Sequence, residues 1–490
     1  MASRRDQLQS YQFLLQRVVS ALVYRKTDPA QSPFRRTGGA VFAGIMLAAL
    51  ALAITAVIGL FASNFGKDRD WVLGNKVIMD EDTGTPYVVL PPAKDEKHQP
   101  KNQVLYPVTN FASAALLAGT TEKISVSSNS LAGEDEDLGD LRIPPRGTPI
   151  GIVGAPQSLP TSDLIIDDPW TLCSKPSAGG DSYSSKLFIG SMSGVTGSKL
   201  ASNEALLISD GDDTYMLVDG KLHLIDPDLL DQAGTNLAWD PKITLPVDAA
   251  FTDGINKGDP VEFPDLGGTP GDSVSGGGTI GTVHKNAAAG GTVYLAQTKD
   301  GFARVTEFQA EILKAATNQD GYESGGASQT DDLQPTKTSD SLPANMPKFP
   351  TVDSSAPTQT CATYTKTGKV TVNHDVTFKH EVPGVKTTNH DDTGKKYVNR
   401  IVMKPGTGAI VETGSALSLV TSDGAIFGLD QTKPAKTKSG KYTPPNSAIV
   451  ALGYSSGVAK VHMPTNLISL IPPGPELSPQ RALDAATKEQ

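Results

Sequence analysis

The residues best suited to chemistry are few, and their surroundings argue against most of the reactions they suggest. Gly453-Tyr454-Ser455-Ser456-Gly457 matches GxSxG. In a nucleophile elbow that motif sits between a strand and a helix, with a histidine and an acid brought close. Here the following VAKVHM reads as a strand and Pro464 comes soon after, so Gly453 is expected to end a short helix instead. Among seven histidines, His374 and His390 each lie in an Asn-His-Asp triplet with His380 between them. None forms the close HxxxH or HExxH pair from which metal ligands converge, so polar strand ends and turns are expected. The acidic run Glu134-Asp135-Glu136-Asp137 lacks the interleaved glycine and twelfth-position glutamate of a calcium loop.

A phosphate-cradling loop requires GxxxxGK[ST]. The five Gly-Lys pairs, Gly66-Lys67, Gly220-Lys221, Gly368-Lys369, Gly394-Lys395 and Gly440-Lys441, are followed by Asp, Leu, Val, Lys and Tyr. The expectation is therefore no catalytic residue, no cofactor, no metal and no enzymatic activity. The two cysteines, Cys173 and Cys361, lie 188 positions apart. Exported domains retain cysteines mainly in pairs, which favours a disulfide, although distance in sequence leaves two free thiols open.

Charge and hydropathy say where such residues sit. Residues 1–36 carry seven basic and two acidic side chains, a formal +5, and residues 37–66 carry no charge. The rest of the chain then holds −15 of the total −10, which excludes sequence-independent nucleic-acid binding through clustered Lys and Arg. The uncharged stretch contains AVFAGIMLAALALAITAVIGLFA. Roughly 20 apolar residues span a bilayer core, so one transmembrane helix is expected. Its basic flank precedes it, giving a cytoplasmic N-terminus and an extracytoplasmic remainder. The long leader and apolar run argue against a cleaved signal peptide. Before the span, Leu8, Tyr11, Leu15, Val18, Val19 and Leu22 recur at three- and four-residue intervals, an amphipathic helix expected to end near Thr27. Either the inner leaflet or a cytoplasmic partner would suit it.

Beyond the span an internal grammar repeats. Asp219-Gly220, Asp300-Gly301 and Asp423-Gly424 each separate two strand-like runs, for which type I′ hairpins with both central φ positive are expected. Each hairpin leads to a helical or turn segment, as Thr306 leads to EFQAEILKAA. A longer-looped copy opens the outer domain with PYVVL, VLYPV and FASAALLAG. Four copies of strand, turn, strand, helix result, irregularly spaced. Gly, at 48 residues, and Pro, at 35, favour short strands and many turns. Segments 125–140, 174–198, 267–291 and 317–342 read as polar loops or insertions. The tail IPPGPELSPQRALDAATKEQ begins as an extended Pro segment and ends in a weak helix.

Several stretches resemble the EccB family, the bitopic component of actinobacterial type VII (ESX) secretion systems. They are the leader QLQSYQFLLQRVVSALVYRKTDP before a single span and YPVTNFASAALLAG after it. Ile143-Pro144-Pro145, PIGIVGAP from Pro149 and DPWTLC ending at Cys173 continue the match. The Gly-, Ser- and Asp-rich insertions depart from the usual pattern and mark a divergent member. The resemblance implies an elongated periplasmic domain of small repeats around a central β-rich core with one disulfide. It also implies assembly with EccC-like ATPase, EccD-like multi-span, EccE-like and MycP-like protease partners, and homo-oligomerisation within the complex. Family members are sometimes labelled ATPases, a label that the residues here do not support.

The expected fold is thus α+β and β-rich. Residues 1–36 form the cytoplasmic helix, 37–66 the span, 67–120 a membrane-proximal repeat, 121–470 the core with further repeats, and 471–490 a Pro-rich tail. The expected function is a structural, assembly-forming subunit of an inner-membrane secretion complex. The rivals are an envelope hydrolase using Ser455 and an envelope ligand-binding sensor.

Overall fold

A computed structural model describes residues 4–25, 34–62, 69–94, 99–132, 142–167, 169–176, 182–192, 195–239, 244–325, 327–329, 341–352, 359–379, 383–388, 390, 394–434, 442–455 and 457–484. The chain forms two compact units, Met1–Asp70 and Trp71–Gln490.

The first unit holds two helices. The leader helix Arg4–Tyr24 covers the apolar series read from the sequence, and Arg25 then turns left-handed at φ 54°. The expected stop at Thr27 lies outside the described residues. The apolar helix runs Phe34–Ala62. Its described side chains cover 40–55, all exposed. Among the described residues no helix is long and apolar enough to cross a membrane.

The second unit is built from four copies of one module around a seven-stranded sheet. In the first copy Val77–Asp80, Pro86–Leu90 and Val104–Pro107 form an antiparallel meander. Asn110 then caps the helix Phe111–Ala118, its Oδ1 accepting from the Ser113 amide at 2.9 Å. Gly119, at φ 73°, ends the helix, and Lys123–Val126 returns to lie parallel to the first strand.

The second copy repeats this order with Leu206–Ser209, Thr214–Val218, Lys221–Leu224, helix Pro227–Ala233 and Leu245–Pro246. The third uses Val283–Ala288, Gly291–Thr298, Gly301–Val305, helix Glu307–Ala316 and Glu323–Ser324. The fourth uses Gly408–Thr413, Ala416–Thr421, Ile426–Leu429, helix Ala448–Ala451 and Lys460–His462. In every copy the last strand pairs parallel with the first. The repeat is therefore three strands, a helix and a closing strand, one strand longer at each end than the sequence suggests.

The hairpins differ from expectation in detail. Only Asp219-Gly220 places both residues at positive φ, 48° and 74°. At Asp423-Gly424 the glycine alone is left-handed, φ 81°, with its amide bonded to the Thr421 carbonyl. At the third turn Thr298 pairs with Gly301, so Lys299 and Asp300 are the central residues. Neither has positive φ, and the Thr298 hydroxyl stabilises the turn by accepting from the Asp300 amide.

The central sheet has the order Val385–Lys386, Arg400–Val402, Tyr183–Ile189, Trp170–Pro176, Gln359–Tyr364, Val370–Phe378, Val195–Lys199. Modules two and three lie in sequence between its strands. Four expected loops are corrected here, segment 317–342 by the closing strand Glu323–Ser324 of the third module. Segment 174–198 supplies strands Tyr183–Ile189 and Val195–Lys199, segment 125–140 begins with the helix Ser128–Ala132, and segment 267–291 ends in a strand. Their Ser, Thr and Lys residues follow from context: Val195–Lys199 is an edge strand, where polar side chains stay in water. The part of segment 317–342 at 330–340 lies outside the described residues.

Helices pair the modules. Leu116 and Leu117 of the first share a core with Ala448, Ala451 and Leu452 of the fourth, and the second and third join through Leu229, Phe308 and Ile312. The tail joins the first of these cores through Leu477 and Ala482, after the extended Pro segment read from sequence. Its short helix is Pro479–Asp484.

Candidate functional site

The GxSxG segment closes a helix. Gly453, at φ 81°, donates to the Val450 carbonyl at 3.1 Å, and the Tyr454 amide donates to the Ile449 carbonyl at 2.8 Å. This pair of bonds is a Schellman cap. Tyr454 is buried and its hydroxyl donates to the Pro160 carbonyl at 2.8 Å, while Ser455 is exposed. A helix precedes the serine and the strand Lys460–His462 follows it, the reverse of an elbow.

The remaining candidates are dispersed. His374 Nδ1 lies 2.7 Å from Asp375 Oδ2, and His462 Nε2 lies 3.0 Å from Glu412 on the parallel neighbouring strand. His390 pairs with Lys396 through a single bridge. His380 and the acidic run at 134–137 lie outside the described residues. Among the described residues no group of three His, Cys, Asp or Glu converges for a metal. Gly220-Lys221 occupies a hairpin turn between strands, whereas a phosphate loop must lead into a helix N-terminus. Gly66-Lys67 and Gly440-Lys441 are outside the described residues.

Cys173 and Cys361 form a disulfide. They sit directly opposite each other on adjacent antiparallel strands, with a Cα–Cα distance of 4.1 Å, and both are buried. The bridge lies at the foot of the long excursion that contains modules two and three.

One device was not read from the sequence. In three modules an extended segment, here called a strap, lies along the outer edge of the third strand. Its residues are Arg146-Gly147-Thr148-Pro149-Ile150 in the first module, Lys257-Gly258-Asp259-Pro260-Val261 in the second and Pro473-Gly474-Pro475-Glu476-Leu477 in the fourth. The register is the same each time: Leu105 meets Arg146 and Val108 meets Ile150, as Leu222 meets Lys257 and Ile225 meets Val261, and as Ile426 meets Pro473 and Leu429 meets Leu477.

Four hydrogen bonds recur with it. In the second module Leu222 N donates to Asn256 O, Gly258 N to Leu222 O, Val261 N to Leu224 O and Asp226 N to Val261 O, at 2.7–2.9 Å. The first and fourth straps make the corresponding four bonds. In the third module Thr306 stands where Asp226 stands, and its amide donates to Gln309 Oε1 within a capping box.

The strap glycine is required by close approach. A Cβ would lie 2.4 Å from Tyr106 Cε1 at Gly147, 2.2 Å from His223 Cε1 at Gly258 and 2.1 Å from Phe427 Cε1 at Gly474. A ring on the third strand thus fills the space beside each strap glycine. Straps pair an edge that would otherwise be available to another chain. The pattern x-Gly-x-x-apolar is visible once the three segments are aligned, but their offsets from the third strand differ, so no fixed period announces them.

On the leader helix Leu8, Tyr11, Phe13, Leu14, Leu15, Val18, Leu22 and Val23 are each more than 40% exposed. Leu8, Tyr11, Leu14, Leu15, Val18 and Leu22 make one broad stripe, whereas Phe13 lies on the opposite side with Gln9, Gln16 and Arg17. Burial of that stripe is the favourable change most open to this unit.

Four repeated modules surround a disulfide-tied sheet, with an apolar helix ahead of them in sequence, and a chain of a known membrane complex shares this fold. The whole chain, residues 1–488, matches the family model for the type VII secretion system ESX-1 transport TM domain B, and the chain belongs to this EccB family. The ESX-3 secretion system ATPase EccB3 of Mycobacterium tuberculosis is 26% identical, over 98% of this chain and 89% of its own. The ESX-5 secretion system ATPase EccB5 of the same organism is 25% identical, over 98% and 93%. In solved structures, the fold is similar to a chain of an intact ESX-5 inner membrane complex, with TM-score 0.56, 24% identity and coverage of 99% and 95%. An EccB3 dimer from the ESX-3 core complex matches with TM-score 0.53, 21% identity and coverage of 83% and 99%.

Proposed function

We propose that this chain is a structural, assembly-forming subunit of an inner-membrane type VII secretion complex. The observation that carries the reading is the family match along essentially the whole chain. The uncharged stretch 37–66 serves as the single-pass anchor, with the basic leader in the cytoplasm and unit Trp71–Gln490 on the outer side. The leader helix docks its apolar stripe on a cytoplasmic or membrane partner, and the modules oligomerise with further copies of the chain. The partners are an EccC-like ATPase, an EccD-like multi-span subunit, an EccE-like subunit and a MycP-like protease.

The relatives carry the word ATPase in their names. This sequence contains no GxxxxGK[ST], and its described Gly-Lys pairs precede no helix, so nucleotide hydrolysis is assigned to the EccC-like partner. Deletion of residues 7–24 tests the reading. Loss of complex assembly and export, with the outer unit still folded, is expected. Intact assembly and export in that deletion contradict it.

A further inference from the structure

The three straps cover rings that are equivalent in position and unequal in chemistry. The first strap covers the phenol of Tyr106 and the fourth the phenyl ring of Phe427, whereas the second covers the imidazole of His223. This imidazole is fully buried. Nδ1 lies 2.7 Å from the carbonyl oxygen of Asp259, itself a strap residue, so Nδ1 carries the proton of the neutral ring. Nε2 is buried without a hydrogen-bond partner among the described residues, and a Cβ added at Gly258 would lie 2.9 Å from it.

A second proton could enter only at Nε2, where it would create a buried cation and an unmet donor. Such a group is expelled rather than tolerated. The charged groups facing it are Lys221 on its own strand, Asp219 in the preceding turn and Asp259 on the strap. The Asp259 carboxylate is also engaged, accepting from the Ser341 hydroxyl at 2.8 Å.

We propose that the second strap is an acid-sensitive latch: protonation of His223 releases residues 256–261 and bares the outer edge of strand Lys221–Leu224. The closed state would be favoured when the ring is neutral, and opening would hydrate the imidazole and accept the proton. The exposed edge, with the Leu222 amide and carbonyl and the Leu224 carbonyl unpaired, would then be open to another extended segment.

The sign follows from linkage. Burial, the largest influence, holds the folded imidazole below its ordinary value of 6.5, with Lys221 acting in the same direction and the Asp259 carbonyl opposing. Above 6.5 both states are neutral and the latch is pH-independent. As pH falls below 6.5 only the open state binds the proton, so opening rises by up to about tenfold per pH unit until the closed state also protonates.

Amide hydrogen exchange of the full-length protein in detergent tests this between pH 7.5 and 5, after correction for intrinsic exchange. Protection of Gly258 and Val261 is expected to fall by about tenfold or more towards pH 5. Amides of Gly147, Ile150, Gly474 and Leu477, in the straps that cover no imidazole, are expected to stay level. Equal loss at all three straps marks general acid unfolding and overturns the proposal, as does constant protection at Gly258. The His223→Phe variant, which copies the fourth module, is expected to abolish the pH dependence of the second strap alone. Persistence of that dependence in the variant also overturns it. These readouts concern one strap of the outer unit, so they stand or fall separately from deletion of the leader.

Discussion

Gly474→Ala probes the strap mechanism most sharply, because the glycine has no unusual backbone to protect. Its φ is not in the left-handed region, so alanine fits the local conformation. The obstacle is the Phe427 ring: the new Cβ would lie 2.1, 2.4 and 2.9 Å from Cε1, Cδ1 and Cζ. Phe427 is itself 4% exposed within the core shared by the first and fourth modules, so it has little room to retreat. Two responses are available. If the ring and strap stay, overpacking costs about 1–3 kcal/mol. If the strap lifts, four hydrogen bonds at 2.8–3.1 Å are lost, at about 1 kcal/mol each, together with burial of Leu477. The cheaper response prevails, giving about 1–3 kcal/mol of local destabilisation, or roughly 5- to 150-fold less protection of the Leu477 amide.

The matched control is Gly428→Ala on the neighbouring strand, where the nearest atom to the new Cβ is Glu476 Cγ at 3.9 Å. It should change stability by less than about 0.5 kcal/mol. Hydrogen exchange and urea unfolding measure both variants. Adding Phe427→Leu to Gly474→Ala should recover at least about 1 kcal/mol relative to additivity. Equal effects of the two alanine variants, or strict additivity with Phe427→Leu, refute the close-approach argument.

Three further outcomes follow from the same structure. Replacing both cysteines, Cys173→Ala with Cys361→Ala, opens a 188-residue separation for which the chain-entropy estimate is about 5 kcal/mol. A large fall in the urea midpoint of the outer unit is expected, and a loss below about 1 kcal/mol contradicts it. Thr306→Ala removes the capping bond to Gln309 and should destabilise helix Glu307–Ala316 by about 1 kcal/mol, read by exchange of its first-turn amides. Ser455→Ala removes an exposed hydroxyl in a Schellman turn and should leave stability within about 0.5 kcal/mol, with export unchanged; loss of export would restore the hydrolase reading.

The middle of each module was legible in sequence, and its ends were not. The second strands of the first two modules are central in their sheets and buried on both faces, so PYVVL and TYMLV read as continuous apolar runs. Asp-Gly turns and the Thr306 cap signalled what came next. First and closing strands are harder: Leu245–Pro246 and Glu323–Ser324 have two residues each and are defined by a parallel partner far away in sequence. Tyr183–Ile189 begins with Tyr-Ser-Ser-Lys, which looks like a loop until its neighbours Trp170–Pro176 and Arg400–Val402 are in place. The turn at Lys299-Asp300 was misread because the Thr298 hydroxyl, rather than a left-handed pair, stabilises it. The straps were missed because one glycine among 48 carries no signal until the ring beneath it is known.

Membership of a secretion assembly is tested by a mild-detergent pull-down of the tagged full-length protein from its native membrane, read by mass spectrometry. One large particle containing further copies of this chain, an FtsK-like ATPase and a multi-span partner is expected. Recovery of the chain alone, or with wall-synthesis enzymes in place of those subunits, would contradict it.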